Sequence, residues 1–172
     1  VEAAIEEVYL RNGAMSWGYP SIVGSGPNAT ILHYEKSSRK MEPGDLLLVD
    51  AAANYQGLTG DITRTYPIDG KFTPVQRDIY DIVKHANSVA SKSVRAGMKG
   101  QDADGLARRY IEERGYGDAF GHSLGHGLGL EVHEAPRLAK TVETPLGEGA
   151  VVTIEPGIYR PGWGGVRIED CL

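Results

Sequence analysis

Two apolar runs in this chain each end on a carboxylate, and this limits the folds open to it more than any other feature. Leu46-Leu47-Leu48-Val49 follows the turn Glu42-Pro43-Gly44-Asp45 and reaches Asp50. Ala150-Val151-Val152-Thr153-Ile154 follows the turn Leu146-Gly147-Glu148-Gly149 and reaches Glu155. Short apolar runs between turn signals read as buried strands. Each is followed by a returning strand with a second acid: Asp61 lies eleven residues after Asp50, and Glu169 fourteen after Glu155. A hairpin turning at Tyr55-Gln56 sets Asp50 opposite Asp61, with side chains roughly 4.5 to 5.5 Å apart. Like charges so placed repel, and a bound cation is the simplest remedy. A different register, or exposure of one acid, would dissolve the conflict without a cation.

The rest of the chain repeats around this pattern at an offset of about one hundred residues. A helix over Val1 to Asn12, with Ala4, Ile5, Val8 and Tyr9 apolar and Gly13 at its end, answers to a helix over about Asp102 to Arg114 that stops at Gly115. Short strands at Tyr19 to Gly24 and Thr30 to Tyr34, ending near His33, answer to a glycine-rich stretch ending at His133. Between the halves, Thr73-Pro74 opens a long helix, proline suiting the first turn. Its buried stripe is Val75, Ile79, Ile82, Val83, Ala86, Val89, Ala90 and Val94, and Gly97 ends it. His85, beside that stripe, is an ordinary surface histidine. The second hairpin turns at Pro161-Gly162-Trp163-Gly164 and returns along Gly165-Val166-Arg167-Ile168 to Glu169. The expected fold class is α/β (α+β): one curved antiparallel sheet covered by helices, its halves related by a pseudo-twofold axis where four carboxylates and several histidines converge.

Gly121 to His133 holds three of the five histidines, at 122, 126 and 133, interleaved with four glycines, Gly121, Gly125, Gly127 and Gly129. Three readings are open for it. It is a solvated glycine-rich loop, a serine-hydrolase elbow, or a metal and proton-transfer site. Gly121-His122-Ser123-Leu124-Gly125 matches the elbow, which needs a helix after the turn. Gly127 and Gly129 oppose that helix, and no histidine follows His133 to complete the order Ser, acid, His. Gly24-Ser25-Gly26-Pro27-Asn28-Ala29 formally fits a dinucleotide fingerprint, but strand-like residues follow it, and it reads as a turn.

Bulk properties exclude several classes. Net charge is -5 with acids and bases mixed, so no nucleic-acid footprint is visible. No apolar run approaches the roughly 20 residues that span a bilayer, and no signal peptide opens the chain. One cysteine, Cys171, allows no internal disulfide and favours a reducing, cytoplasmic setting. Glycine, 23 of 172 residues, is about twice its usual share and implies many tight turns.

Four converging carboxylates are balanced by two divalent cations, with one imidazole completing the donors. An oxygen-rich set with a single histidine suits Mn²⁺ or Co²⁺ and admits Zn²⁺. Paired cations lower the pKa of a shared water and polarise a scissile carbonyl, which is machinery for hydrolysis.

The motifs His122-Ser123-Leu124-Gly125-His126, Gly127-Leu128-Gly129-Leu130-Glu131-Val132-His133, Thr153-Ile154-Glu155-Pro156-Gly157-Ile158-Tyr159 and Arg167-Ile168-Glu169-Asp170 together resemble the Xaa-Pro peptidases. These are prolidase and aminopeptidase P, of the pita-bread (creatinase/aminopeptidase) metallopeptidase superfamily. The resemblance covers nearly the whole chain and implies a single catalytic domain over 1–172. It implies dinuclear-metal-dependent hydrolysis of the bond between an N-terminal residue and proline. By the same resemblance Asp50, Asp61, His126, Glu155 and Glu169 are the metal ligands, with Asp61 and Glu169 bridging and Glu155 also transferring a proton. His33, His122 and His133 line the substrate pocket, His133 stabilising the tetrahedral intermediate and His122 near the proline side; Arg167 stands behind the ligands at that pocket. Methionine aminopeptidase is the near alternative. The short Glu155 to Glu169 spacing, His122 and the Arg167-Ile168-Glu169-Asp170 ending look more like the proline peptidases. A non-catalytic peptide- or protein-binding module on the same fold is the rival of another class, and such modules have generally lost ligands. Full-length relatives of this kind carry an N-terminal domain, absent from 1–172, and are expected to be homodimers. With three residues after Glu169, that ligand is expected to be weakly held.

Overall fold

The computed structural model describes residues 1–172. The chain opens with helix α1 (Glu2–Arg11) and strands β1 (Ser16–Trp17) and β2 (Ile22–Ser25), followed by a 3₁₀ turn over Gly26–Thr30. Strands β3 (Leu46–Asp50), β4 (Ala53–Tyr55), β5 (Leu58–Thr59) and β6 (Thr63–Pro67) complete the first half. Helix α2 (Pro74–Ser93) leads to α3 (Gly100–Glu113), then β7 (Gly125–Gly127), β8 (Glu134–Leu138), β9 (Thr153–Ile154), β10 (Gly157–Arg160), β11 (Gly164–Arg167) and β12 (Asp170–Cys171). Every strand pair is antiparallel.

The helices form for local reasons and pack for tertiary ones. Thr73 and Gln76 make a reciprocal capping box at the start of α2, with Pro74 in the first turn. Ile79, Val83, Ala86 and Ala90 bury the inner stripe of α2, against Ala103, Ala107 and Ile111 of α3 and the strand residues Ile154, Ile158 and Val166. The stripe is narrower than the sequence suggests, since Val75 is exposed. The polar Gln76 and Asn87 occupy buried positions instead. Helix α1 buries none of its residues. No helix is long and apolar enough to cross a membrane.

The expected single sheet is a series of short ladders. β2, β3 and β6 form one, β12 and β9 another, and β7 and β8 a third. They are stitched together by isolated bonds: Glu169 N–H to the Thr63 carbonyl (3.1 Å), Glu155 N–H to the Leu124 carbonyl (2.8 Å), and a bridge between Gly127 and Val152. Gly125 permits the closest approach, because a Cβ there would lie 1.9 Å from the Thr153 carbonyl oxygen.

Several expectations about local structure are corrected. Asp50 faces Thr63 across the ladder and not Asp61. The hairpin turns at Gln56-Gly57, both with positive φ (52° and 85°), as a two-residue reversal requires. This moves the register by two residues, which preserves the face, so Asp61 still points to the side Asp50 occupies. Thr30 to Tyr34 is no strand, and His33 and His133 both lie in irregular segments. The strand expected over Ala150 to Ile154 is regular only at Thr153–Ile154. Glu169 is firmly held: Asp170 and Cys171 pair with Ile154 and Thr153, and Leu172 exchanges backbone bonds with Val152.

Candidate metal centre

Each acid sits where regular pairing breaks off. Asp50 closes β3, Asp61 lies in the irregular turn before β6, Glu155 follows β9 and Glu169 precedes β12, while His126 is the middle residue of β7. A strand end delivers its side chain from a fixed backbone yet leaves it free of the ladder. Asp50, Asp61, His126 and Glu169 are buried and Glu155 is partly so.

Ligand-type atoms of Asp61, His126 and Glu169 lie within 4.8 Å of one another. His126 Nε2 is 3.6 Å from Asp61 Oδ2 and 3.4 Å from Glu155 Oε1. Its Nδ1 is 3.0 Å from the Gly127 carbonyl, which assigns the N–H to Nδ1 and turns the Nε2 lone pair toward the acids. Ligating histidines are held in this way, by a carbonyl on the second nitrogen. Asp50 stands beside the trio, its Oδ2 accepting from Arg167 Nη2 at 2.7 Å. The Tyr19 hydroxyl contacts Asp50 Oδ1 and lies 2.5 Å from Asp61 Oδ1. One hydroxyl hydrogen serves one carboxylate at a time, so three such close oxygens call for a further proton or a cation.

The electrostatics say the same. Burial, then the charge of Asp50, pushes the Asp61 carboxyl up to about 7. Burial pushes Glu155 up to about 8 against the opposing pull of Arg167. Burial and Glu155 hold Glu169 well above the carboxylate range. Burial lowers the pKa of His126. Glu169 Oε2 accepts from Thr63 Oγ1 at 2.6 Å, whereas the buried Oε1 has no hydrogen-bond partner. A buried polar atom without a partner costs about 1 to 3 kcal/mol. An orphan carboxylate oxygen, acids that resist ionisation and an imidazole presenting a lone pair fit a divalent cation.

The acids open into a cavity of about 280 Å³ lined also by Tyr19, Pro20, Ile22, His33, Glu35, Val132 and His133. A second lobe of about 200 Å³ shares His33, His126, His133 and Glu155 with it and adds Leu32, His122, Ser123, Arg137 and Arg167. The His33 and His133 rings are 6.2 Å apart, and His133 packs edge-on to His126 at 4.4 Å. Burial, with His33 nearby, lowers the pKa of His133. His122 Nδ1 meets the Ser123 carbonyl and Nε2 the Tyr159 hydroxyl, both at 2.8 Å. Burial and Arg167 lower the pKa of His122 to about 4, so the ring is neutral at pH 7. No helix follows Ser123, so the elbow reading fails, and Ser123 offers only its carbonyl to that ring.

Of the residues that hold this set in place, reasoning from sequence alone names Arg167 and passes over the others. Arg167 spends its guanidinium on Asp50, on the Tyr159 hydroxyl (2.9 Å) and on Thr63 Oγ1 (3.1 Å). Buried Arg108, paired with Asp104, donates to the carbonyls of Phe120 (2.9 Å) and His122 (2.7 Å), while Asp104 Oδ1 accepts from Leu124 N–H (3.0 Å). Helix α3 therefore grips the histidine-rich stretch. The spacing of Asp104 and Arg108 signals only a helical ion pair, and Tyr19 carries no local signal at all.

Similar proteins share this fold. An Xaa-Pro dipeptidase of Pyrococcus furiosus is 46% identical over 172 residues, which are 100% of this chain and 49% of that protein. The solved structure of an Xaa-Pro dipeptidase from Bacillus anthracis matches with a TM-score of 0.95 at 45% identity, covering 99% of this chain and 48% of that one. An X-Pro aminopeptidase from Thermotoga maritima matches with a TM-score of 0.95 at 40% identity, over 99% of this chain and 48% of that one. The chain thus spans about half the length of the relatives it matches, and it has their pita-bread fold. Metallopeptidase family M24 matches residues 1–172, and the chain belongs to that family.

Proposed function

We propose that residues 1–172 act as the catalytic domain of an exopeptidase that hydrolyses the bond between an N-terminal residue and a following proline. The observation that carries this reading is the convergence of Asp61, His126 and Glu169 within one buried cluster beside Glu155 and Asp50. Two divalent cations, Mn²⁺ or Co²⁺ by the oxygen-rich donor set, would be held by Asp50, Asp61, His126, Glu155 and Glu169. When bound, they supply an acidified water and polarise the scissile carbonyl.

The chain's own residues do the rest. Glu155, partly buried at the edge of both lobes, takes the proton of the attacking water and passes it to the leaving proline nitrogen. His133 and His33, facing the cavity, donate toward the oxyanion and orient the peptide. His122 and Arg167 form the wall of the second lobe, where the proline ring lies. Names of the relatives include both dipeptidases and an aminopeptidase, and the proposed cleavage of an Xaa-Pro bond is common to the two. A cytoplasmic homodimer is the proposed setting of the full protein.

The test is metal content followed by turnover. Protein reconstituted with excess Mn²⁺ or Co²⁺ and then desalted should retain metal and cleave Ala-Pro or Ala-Pro-Gly. Retention of no metal would sink the centre. Cleavage of Met-Ala-Ser alone would transfer the chain to the methionine aminopeptidase reading, and metal binding without any cleavage to a binding module.

A further inference from the structure

The first lobe carries one acid that the metal centre leaves over. Five carboxylates line it: Glu35, Asp50, Asp61, Glu155 and Glu169. Two divalent cations balance four of them, and Glu35 remains. Nearby arginines are committed elsewhere, Arg39 to Glu42 and Asp45, and Arg167 to Asp50. No lysine or arginine lines this lobe, whereas Arg137 and Arg167 line the second. With Arg167 paired to Asp50, the metal-loaded cleft is polarised by Glu35 at one end and Arg137 at the other.

A short peptide is polarised too, and electrostatic complementarity sets its direction. Its amino end belongs in the first lobe and its carboxyl end in the second. The side chain of the first residue then meets a lining that combines the apolar Pro20, Ile22 and Val132 with the exposed Glu35. Apolar lining together with one uncompensated carboxylate suits a long cationic side chain, whose methylene stem packs while its head reaches the charge. We propose that Glu35 is a specificity-determining residue that favours substrates beginning with lysine or arginine. This rests on the Xaa-Pro reading above.

The test compares kcat/KM for Lys-Pro, Leu-Pro and Glu-Pro, as dipeptides and as Xaa-Pro-Ala tripeptides, in the metal-loaded protein and its Glu35→Gln and Glu35→Lys variants. The Lys-Pro to Leu-Pro ratio should fall about two- to five-fold in Glu35→Gln, the range for one partly exposed ion pair. Glu35→Lys should shift preference toward Glu-Pro. In the unaltered protein the ratio should shrink as ionic strength rises from about 0.05 to 0.5 M. A ratio unchanged in both variants overturns the proposal. That includes equal slowing of every substrate, since Glu35 would then hold the α-ammonium common to all of them. Should turnover be absent, calorimetric affinities for Lys-Pro and Leu-Pro give the same comparison. Absence of turnover and of binding removes the Xaa-Pro reading and this inference with it, whereas cleavage of Leu-Pro with an unchanged ratio removes the inference alone.

Discussion

Arg167 shows how much of the centre depends on one side chain's shape. It is buried, and its three nitrogens reach three partners on three elements: Asp50 of β3, Thr63 of β6 and Tyr159 of β10. Through Tyr159 the same guanidinium fixes His122, because the phenol oxygen accepts from Arg167 and its hydrogen turns to His122 Nε2. A lysine keeps the charge but offers no planar fork. Arg167→Lys should therefore leave the fold intact while lowering metal affinity or kcat/KM about 10- to 100-fold, the usual effect of removing a ligand's outer partner. Titration of Mn²⁺ into both proteins by calorimetry measures this, and equal affinities together with equal kcat/KM would show that the fork is dispensable.

Among the elements, α2 does more than fill the space between the halves. Its Asn87 donates to the carbonyls of Ile154 (2.9 Å) and Ile168 (3.2 Å). These are the residues immediately before Glu155 and Glu169. One buried amide thus ties together the backbones that carry two of the four acids. Asn87→Ala leaves those carbonyls without their donor and should cost about 1 to 3 kcal/mol, read as a lower urea midpoint at unchanged slope. Metal affinity should fall with it, since both glutamates lose a common anchor. Lower stability with unaltered affinity would mean that β9 and β12 position the acids unaided.

For the whole molecule, the clustered acids couple stability to pH and to metal. In the metal-free fold Asp61 is raised from 3.8 to about 7 and Glu155 from 4.5 to about 8. A raised folded-state pKa favours the protonated form, so this contribution to stability is fully present below about pH 4 and is lost as pH climbs through 7 to 8. The melting temperature of the metal-free protein should decline over that window. Cations require the ionised acids, so the stabilisation by Mn²⁺ should grow over the same window. Thermal melts from pH 5 to 8, with EDTA or with Mn²⁺, check both. Parallel curves would indicate that the acids do not bind the ion.

Much of this organisation is legible in the chain itself, because local rules govern it. The Thr73-Pro74 helix start, the amphipathic stripe of α2 and the turn residues before each buried strand act over a few residues, and they locate the elements, although the strand before Glu155 is regular only at Thr153–Ile154. Two strands ending in acids are legible for the same reason, and the even period of a strand explains why a register two residues off still places Asp61 on the correct face. Tertiary structure alone decides the rest. Tyr19, Thr63, Asn87 and Arg108 act on the distant partners Asp61, Glu169, Ile168 and His122, 14 or more positions away, and no local pattern distinguishes them from ordinary core or surface residues. The sequence determined which acids and histidines are available and which elements carry them. Only the packed fold decided which of their oxygens and nitrogens face one another, because that depends on how separate ladders are stitched across the two halves.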